Sequence, residues 1–281
     1  MKVFISVDME GVAGVATLDQ IVRGGGGYGR AQELMTQEAN AAIAGAFDGG
    51  ATEVLVNDSH GTMDNLLHDR LDPRARVVFG APRAQCMAHG LTADSQVALF
   101  IGFHAAAGDA GVLAHTFSAY FREVCINGAP VSETEVNALY AASMGVPVGL
   151  VTGDDSICAK VDKVLPHAST VVVKRHEGFS AADSLHPEKA RELIAAAAAE
   201  AVKNASSLPR PELPDQFVID VELEQPTMAE LVSFIPGVAR SGETTVHVTV
   251  KTADDMVGFI CASYYLATMG AQQRLSLLTR R

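Results

Sequence analysis

Short apolar runs in this chain stop, one after another, at an acid or just short of a histidine, and this pattern constrains the fold more than any other feature. The run 3–7 ends at Asp8, the run 53–57 at Asp58, and the run 97–101 at Gly102, two residues before His104. The run 148–151 passes through Thr152-Gly153 to Asp154 and Asp155, and a further run covers 171–174. Each is short and rich in β-branched residues, as buried strands are. Helical spacing separates them. Over 30–48, Leu34 or Met35, Ala39, Ile43 and Phe47 recur near one helical face, and Gly49-Gly50 supplies a stop. A second helix is predicted around 133–144. Continuous apolar strands alternating with helices predict an α/β fold, a mostly parallel sheet flanked by helices on both faces.

The chain then changes character. Pro187 opens an alanine-rich helix to about 204, and the stretch 206–214 holds Pro209, Pro211 and Pro214. Prolines at that density cannot continue a helix, so 206–214 reads as a linker between an α/β portion over 1–205 and a smaller C-terminal α+β portion over 215–281. Strands are predicted at 217–223 and 244–251. In the latter, Thr245, His247 and Thr249 alternate with Val246, Val248 and Val250. A last helix at 254–269 carries Met256, Phe259, Ile260, Tyr264, Leu266 and Met269, more apolar surface than one core stripe requires. That surface suits either burial on both sides within the monomer or a neighbouring subunit. The four glycines at 24–27 read as a flexible loop.

The balance of 33 acidic against 21 basic residues gives a net charge of −12. Phosphate-backbone binding and polybasic membrane attachment both need clustered Lys and Arg, so neither nucleic acid nor an anionic membrane is an expected partner. No apolar run approaches the length of a membrane span, and the run 3–7 is too short for a signal-peptide core. Cys86, Cys125, Cys158 and Cys261 form no C-x-x-C pair, which disfavours a zinc ribbon or a redox motif and fits a reducing compartment. A cytoplasmic location is expected.

In an open α/β sheet, ligands bind beyond the carboxyl ends of the strands. Those ends carry Asp8 and Glu10, Asp58 and His60, His104, and Asp154 with Asp155. Taken singly, each acid is as good a helix cap or turn former as a ligand. Together, carboxylates converging with imidazoles need a cation among them. Mixed nitrogen and oxygen donors suit zinc, with manganese or iron also open, and disfavour an all-oxygen calcium or magnesium cage. No dinucleotide fingerprint, phosphate-binding loop or nucleophile elbow is present.

Taken in order, the blocks Ser6-Val7-Asp8-Met9-Glu10-Gly11, Val56-Asn57-Asp58-Ser59-His60, Gly102-Phe103-His104, Gly111-Val112-Leu113-Ala114-His115-Thr116, Glu133 to Asn137 and Val151-Thr152-Gly153-Asp154-Asp155 resemble the M55 peptidase family of zinc D-aminopeptidases. The resemblance implies a binuclear zinc site, two ions per subunit, with Asp8, Glu10, His60, His104 and Glu133 at the ligand positions. Asp8 would bridge, Glu10 and His104 would hold one ion, and His60 and Glu133 the other. His115 matches the catalytic position. Asp58, Asp154 and Asp155 are expected to orient ligating histidines or to act as caps. Glu135 stands where the family typically has glycine, and it is expected to shape the pocket wall. The implied function is hydrolysis of N-terminal residues from short peptides, D-amino-acid peptides such as D-Ala-D-Ala. The alternatives are an amidase or L-aminopeptidase on the same site, or a non-catalytic peptide- or metal-binding protein. The resemblance also implies a homodecamer of two stacked pentameric rings with the active sites facing an inner chamber.

Overall fold

The structure, a computed structural model, describes residues 1–209 and 212–279. In chain order its elements are β1 (Lys2–Val7), α1 (Leu18–Ile21), α2 (Tyr28–Asp48), β2 (Glu53–Asp58), β3 (Arg76–Val78), β4 (Ser95–Phe103), β5 (Phe121–Ile126) and β6 (Ala129–Pro130). There follow α3 (Glu133–Ser143), β7 (Val148–Asp154), α4 (Asp155–Val164), β8 (Ser169–Gly178), β9 (Ala181–Ser184) and α5 (Pro187–Lys203). The last group is β10 (Phe217–Leu223), α6 (Pro226–Val232), β11 (Ala239–Arg240), β12 (Thr245–Val250) and α7 (Ala253–Thr279).

The larger sheet runs β3-β2-β1-β4-β7-β8-β9 and is parallel except for β9, which pairs antiparallel with β8. The α/β reading of the sequence therefore holds. From β1 the strand order proceeds to β2 and β3 on one side and to β4, β7 and β8 on the other. The crevice between β1 and β4 is thus the switch point where such sheets bind ligands. Register brings the relevant ends level, with Val7 opposite both Asp58 and Ile101.

The period-2 alternation of β1 divides the core. Val3, Ile5 and Val7 face one way and pack with Leu34 and Ile43 of α2 and Ile194 and Val202 of α5. Phe4 faces the other way with Phe100, Val136 of α3 and the inner residues of the second sheet. That second sheet, β11-β12-β10-β5-β6, is antiparallel. It is not confined to 215–281, because β5 and β6 come from 121–130. Arg122-Glu123 interrupts the apolar character of 121–126, so the run does not read as a buried strand. The two portions of the chain consequently interlock. At the start of the expected linker, Ala205–Ser207 forms a 3₁₀ turn; Arg210 and Pro211 lie outside the described residues.

Other differences have local causes. Amides of Gly26 and Gly27 donate to the two carboxylate oxygens of Asp19, at 2.9 and 2.8 Å, so the glycine run is tied to α1 and leads into α2. The last helix extends past 269 to Thr279. On it, Met256, Phe259 and Ile260 are buried in the monomer core, while Tyr265 and Met269 are exposed. Two charges are buried below the β1 loop: burial pushes the Glu38 carboxyl up to about 7 and pulls the Lys174 ammonium down to about 8. Among the described residues, no helix is long and apolar enough to cross a membrane.

Helices α2 and α5 approach closely at Gly45, where an added Cβ would lie 2.2 Å from the Ala195 carbonyl oxygen. Gly45→Leu is expected to push the helices apart and lower stability by roughly 1–3 kcal/mol, seen as a lower urea midpoint at unchanged slope.

Candidate metal centre

The β1, β2 and β4 ends are stitched together by backbone. The Asp8 amide donates to the Ile101 carbonyl at 2.8 Å, Gly11 to Gly102 at 2.7 Å, and Ser59 to Val7 at 2.8 Å. Gly102 has φ +73°, and a Cβ there would sit 2.4 Å from the Asp8 carbonyl oxygen. Only glycine permits both the left-handed turn and this contact. The Gly102 amide in turn donates to Thr152 Oγ1 at 2.9 Å, tying in β7.

Asp58 organises the loop that carries His60. Its carboxylate accepts the amides of Asn65 at 2.5 Å and Leu66 at 2.7 Å, and the Asn65 side-chain amide at 2.7 Å. Asn65 Nδ2 also donates to the His60 carbonyl at 2.6 Å. Asp154 caps α4 through the Ile157 amide (2.9 Å) and holds the His115 loop through the Val112 amide (2.8 Å). Asp155 binds the amide and Nδ1 of His176 on β8, at 2.8 and 3.0 Å. These three acids therefore engage loops and caps, and none of these hydrogen bonds goes to the His60 or His104 ring.

Glu133 opens α3 behind the N-cap Ser132, where the helix dipole favours a carboxylate. Its Oε1 accepts the Phe117 amide at 2.5 Å. Glu135 is engaged elsewhere. It accepts the Ser132 amide at 2.7 Å, completing a capping box, and pairs with Lys160 at 3.2 Å. It lines a separate groove with Ile126 and Leu165, not the metal pocket.

Asp8, Glu10, His60, His104 and Glu133 are all buried and meet in one space. His60 Nδ1 lies 2.9 Å from Glu10 Oε2 and 3.5 Å from Asp8 Oδ1. His104 Nε2 lies 3.3 Å from Asp8 Oδ2 and 3.5 Å from Glu133 Oε2. His115, with its side chain 26% exposed, sits at the mouth with Nε2 3.7 Å from Glu133 Oε1, its ring stacked on His104 at 4.2 Å. Ligand atoms of Asp8, Glu10 and His104 lie within 4.8 Å of one another, as do those of His104, His115 and Glu133.

The other nitrogen of each ring fixes the tautomer. His60 Nε2 faces the Ile21 carbonyl at 2.8 Å, His104 Nδ1 the Ala105 carbonyl at 2.9 Å, and His115 Nδ1 the Leu113 carbonyl at 2.9 Å. A carbonyl only accepts, so those nitrogens carry the proton. Each remaining lone pair then points at carboxylate oxygen. Buried lone pairs cannot share that space unless a proton or a metal ion lies between them. Without metal the site draws protons. Burial opposes charge on His60 and His104, yet Glu10 and Asp8, and Glu133 and Asp8, raise them well above the usual imidazole range. Burial likewise opposes ionisation of Glu10 and Glu133, but the imidazoles hold both below the usual carboxyl range. Asp8 is raised, by burial and then by Glu10. His104 Nε2 is buried without a hydrogen-bond partner. An orphaned imidazole nitrogen among carboxylates, with its far N–H held by a backbone carbonyl, fits a metal ligand.

The pocket beside these residues has a volume of about 100 Å³ and a sulfur-rich wall of Met63, Cys86, Met87 and Cys261, with Tyr264. Cys261 and Tyr264 come from α7, a contribution that sequence reading missed. An apolar helix residue that lines a pocket looks the same in sequence as one that fills a core. The carbonyls that set the tautomers were equally invisible, because backbone carries no side-chain signature.

Comparison with known proteins agrees with this geometry. The peptidase M55 family profile, described as D-aminopeptidase, matches residues 1–262. A D-aminopeptidase from Bacillus subtilis strain 168 is 37% identical over 252 residues, covering 89% of this chain and 92% of the relative. Among solved structures, the zinc-dependent D-aminopeptidase DppA from Bacillus subtilis, described as a self-compartmentalizing protease, superimposes with a TM-score of 0.92 at 35% identity. That match covers 95% of this chain and 98% of the other.

Gly102→Ala is expected to move the Asp8 backbone. Strain of about 1–3 kcal/mol at a left-handed position should lower the thermal midpoint, and zinc uptake measured by chelator competition should weaken.

Proposed function

Because the chain belongs to the M55 peptidase family of D-aminopeptidases, we propose that it is a zinc-dependent aminopeptidase that releases N-terminal residues from short D-amino-acid peptides, D-Ala-D-Ala among them, at a binuclear centre. The observation that carries this reading is the lone-pair arrangement, three buried or half-buried imidazoles each committed to a backbone carbonyl at one nitrogen and turned on carboxylates at the other. Asp8 would be the shared ligand, since its two oxygens face different rings, His60 and His104. Glu10, His60, His104 and Glu133 would complete the donor set around the two ions. When bound, zinc supplies Lewis acidity toward the scissile carbonyl and its attacking water.

The chain's own residues do the rest. His115 keeps its Nδ1 proton on the Leu113 carbonyl, which leaves Nε2 as the basic nitrogen at the mouth of the site. From there it takes a proton from the attacking water and returns one to the leaving amine. Its stack on His104 holds the ring in place. The wall of Met87, Cys261 and Tyr264 limits the bulk of the side chain that can enter.

The active form is a homo-oligomer, a decamer of two pentameric rings. Its support is the self-compartmentalizing description of the structural relative and the exposed Tyr265 and Met269 of α7. A cytoplasmic location accords with four free cysteines.

A chelator is expected to abolish D-alanine release from D-Ala-D-Ala, with zinc restoring it and matched L-peptides turned over more slowly. His115→Ala should reduce kcat by about 10²–10⁴-fold. Stoichiometric metal with no turnover of D- or L-peptides would overturn the enzymatic reading, and faster L-peptide turnover would overturn the D-preference. Light scattering should give about ten times the 29.5 kDa chain mass; a monomer or a small oligomer would refute the decamer.

A further inference from the structure

Lys174 ends an apolar stretch of β8, Val171-Val172-Val173, yet it is only 1% exposed and among the largest fully buried side chains. An ammonium has three N–H donors. Here all of them meet one loop: Nζ donates to the carbonyls of Glu10, Val12 (3.1 Å) and Val15 (2.5 Å). The same loop is held from the α2 side by Glu38, 2% exposed, whose Oε1 accepts the Ala13 amide at 2.9 Å. The other oxygen of Glu38 is buried without a hydrogen-bond partner. The loop backbone thus lies between an ammonium that donates to its carbonyls and a carboxyl group that accepts its amide.

Burying ionisable groups is unfavourable, and a well-packed apolar pair is often no less stable. Fold stability alone therefore gives little reason for this arrangement. Its position gives a better one. The clamped loop follows β1 directly and carries Glu10, whose carboxylate meets His60 at 2.9 Å. We propose that Lys174 and Glu38 are positioning residues that hold the loop at residues 10–15 in its ligand-presenting shape before metal arrives, so that binding does not have to order it. This rests on the reading of Glu10 as a metal ligand. Lys174 touches neither substrate nor metal, and acts through the Glu10 backbone.

The competing account is that Lys174 merely balances the buried charge of Glu38. Zinc affinity of the metal-free protein, measured by competition with a chromogenic chelator, separates the two. Lys174→Met removes the donors. The double variant Lys174→Met with Glu38→Gln also removes the charge imbalance, while keeping an acceptor for Ala13. With native circular dichroism, both are expected to bind zinc roughly 10–100-fold more weakly than wild type, the usual effect of losing a residue that orients a ligand. Wild-type affinity in the double variant would overturn the clamp and leave charge balance as the explanation. Should the variants not fold, hydrogen exchange on the metal-free wild type decides. The Ala13 and Val15 amides are expected to be protected like those of β1, and free exchange there would overturn the proposal. Wild-type protein that binds no zinc at all would instead refute the metal reading on which the clamp depends.

Discussion

Three imidazoles and three carboxylates share one space at the end of the parallel sheet, and their lone pairs cannot face each other there without a cation between them. This constraint organises the rest of the molecule. Each ring surrenders one nitrogen to a backbone carbonyl, of Ile21, Ala105 or Leu113, so the acceptor nitrogen is fixed by the main chain. Each carboxylate sits where the fold offers compensation: Glu133 at a helix N-terminus, Asp8 and Glu10 on a loop stitched to β4. The same groups that would attract protons in the absence of metal are the ones that would release them on binding it.

The fold supplies this convergence cheaply. A parallel sheet whose strand order reverses at β1 and β4 leaves a crevice at their carboxyl ends, and the loops that carry Asp8, Glu10, His60 and His104 enter it from β1, β2 and β4. Glu133 arrives from the second layer, at the start of α3 just after the short β5–β6 hairpin. The smaller antiparallel sheet is therefore more than an appendage, since its strands bracket the segment that carries Glu133, and α7 behind it supplies Cys261 and Tyr264 to the pocket.

How much of this was legible in the sequence follows from the range of each signal. Strands such as 3–7 and 53–57 were readable because doubly covered parallel strands are continuously apolar. Asp8, His60 and His104 stood out because acids and histidines at strand ends are visible without any tertiary knowledge. The hairpin at 121–130 was not readable, because Arg122 and Glu123 break its apolar run and its partners in β10 lie 93–102 residues away. The tie from Asp19 to the glycine loop depends on carboxylate geometry that composition does not carry. Glu135 misled for the opposite reason. Its replacement of a family glycine suggested the pocket wall, whereas one residue along a helix turns a side chain by about 100°, and the two residues from Glu133 carry it to the cap and to Lys160. Lys174 had a signal that passed unused, a lysine closing a valine run that the sheet was bound to bury.

The account is tested most directly by anomalous scattering at the zinc edge from crystals of the zinc-loaded protein. It predicts two peaks a few ångströms apart, with Asp8 between them and Glu10, His60, His104 and Glu133 around them. Zinc density absent from this cluster, or lodged elsewhere on the chain, would contradict it.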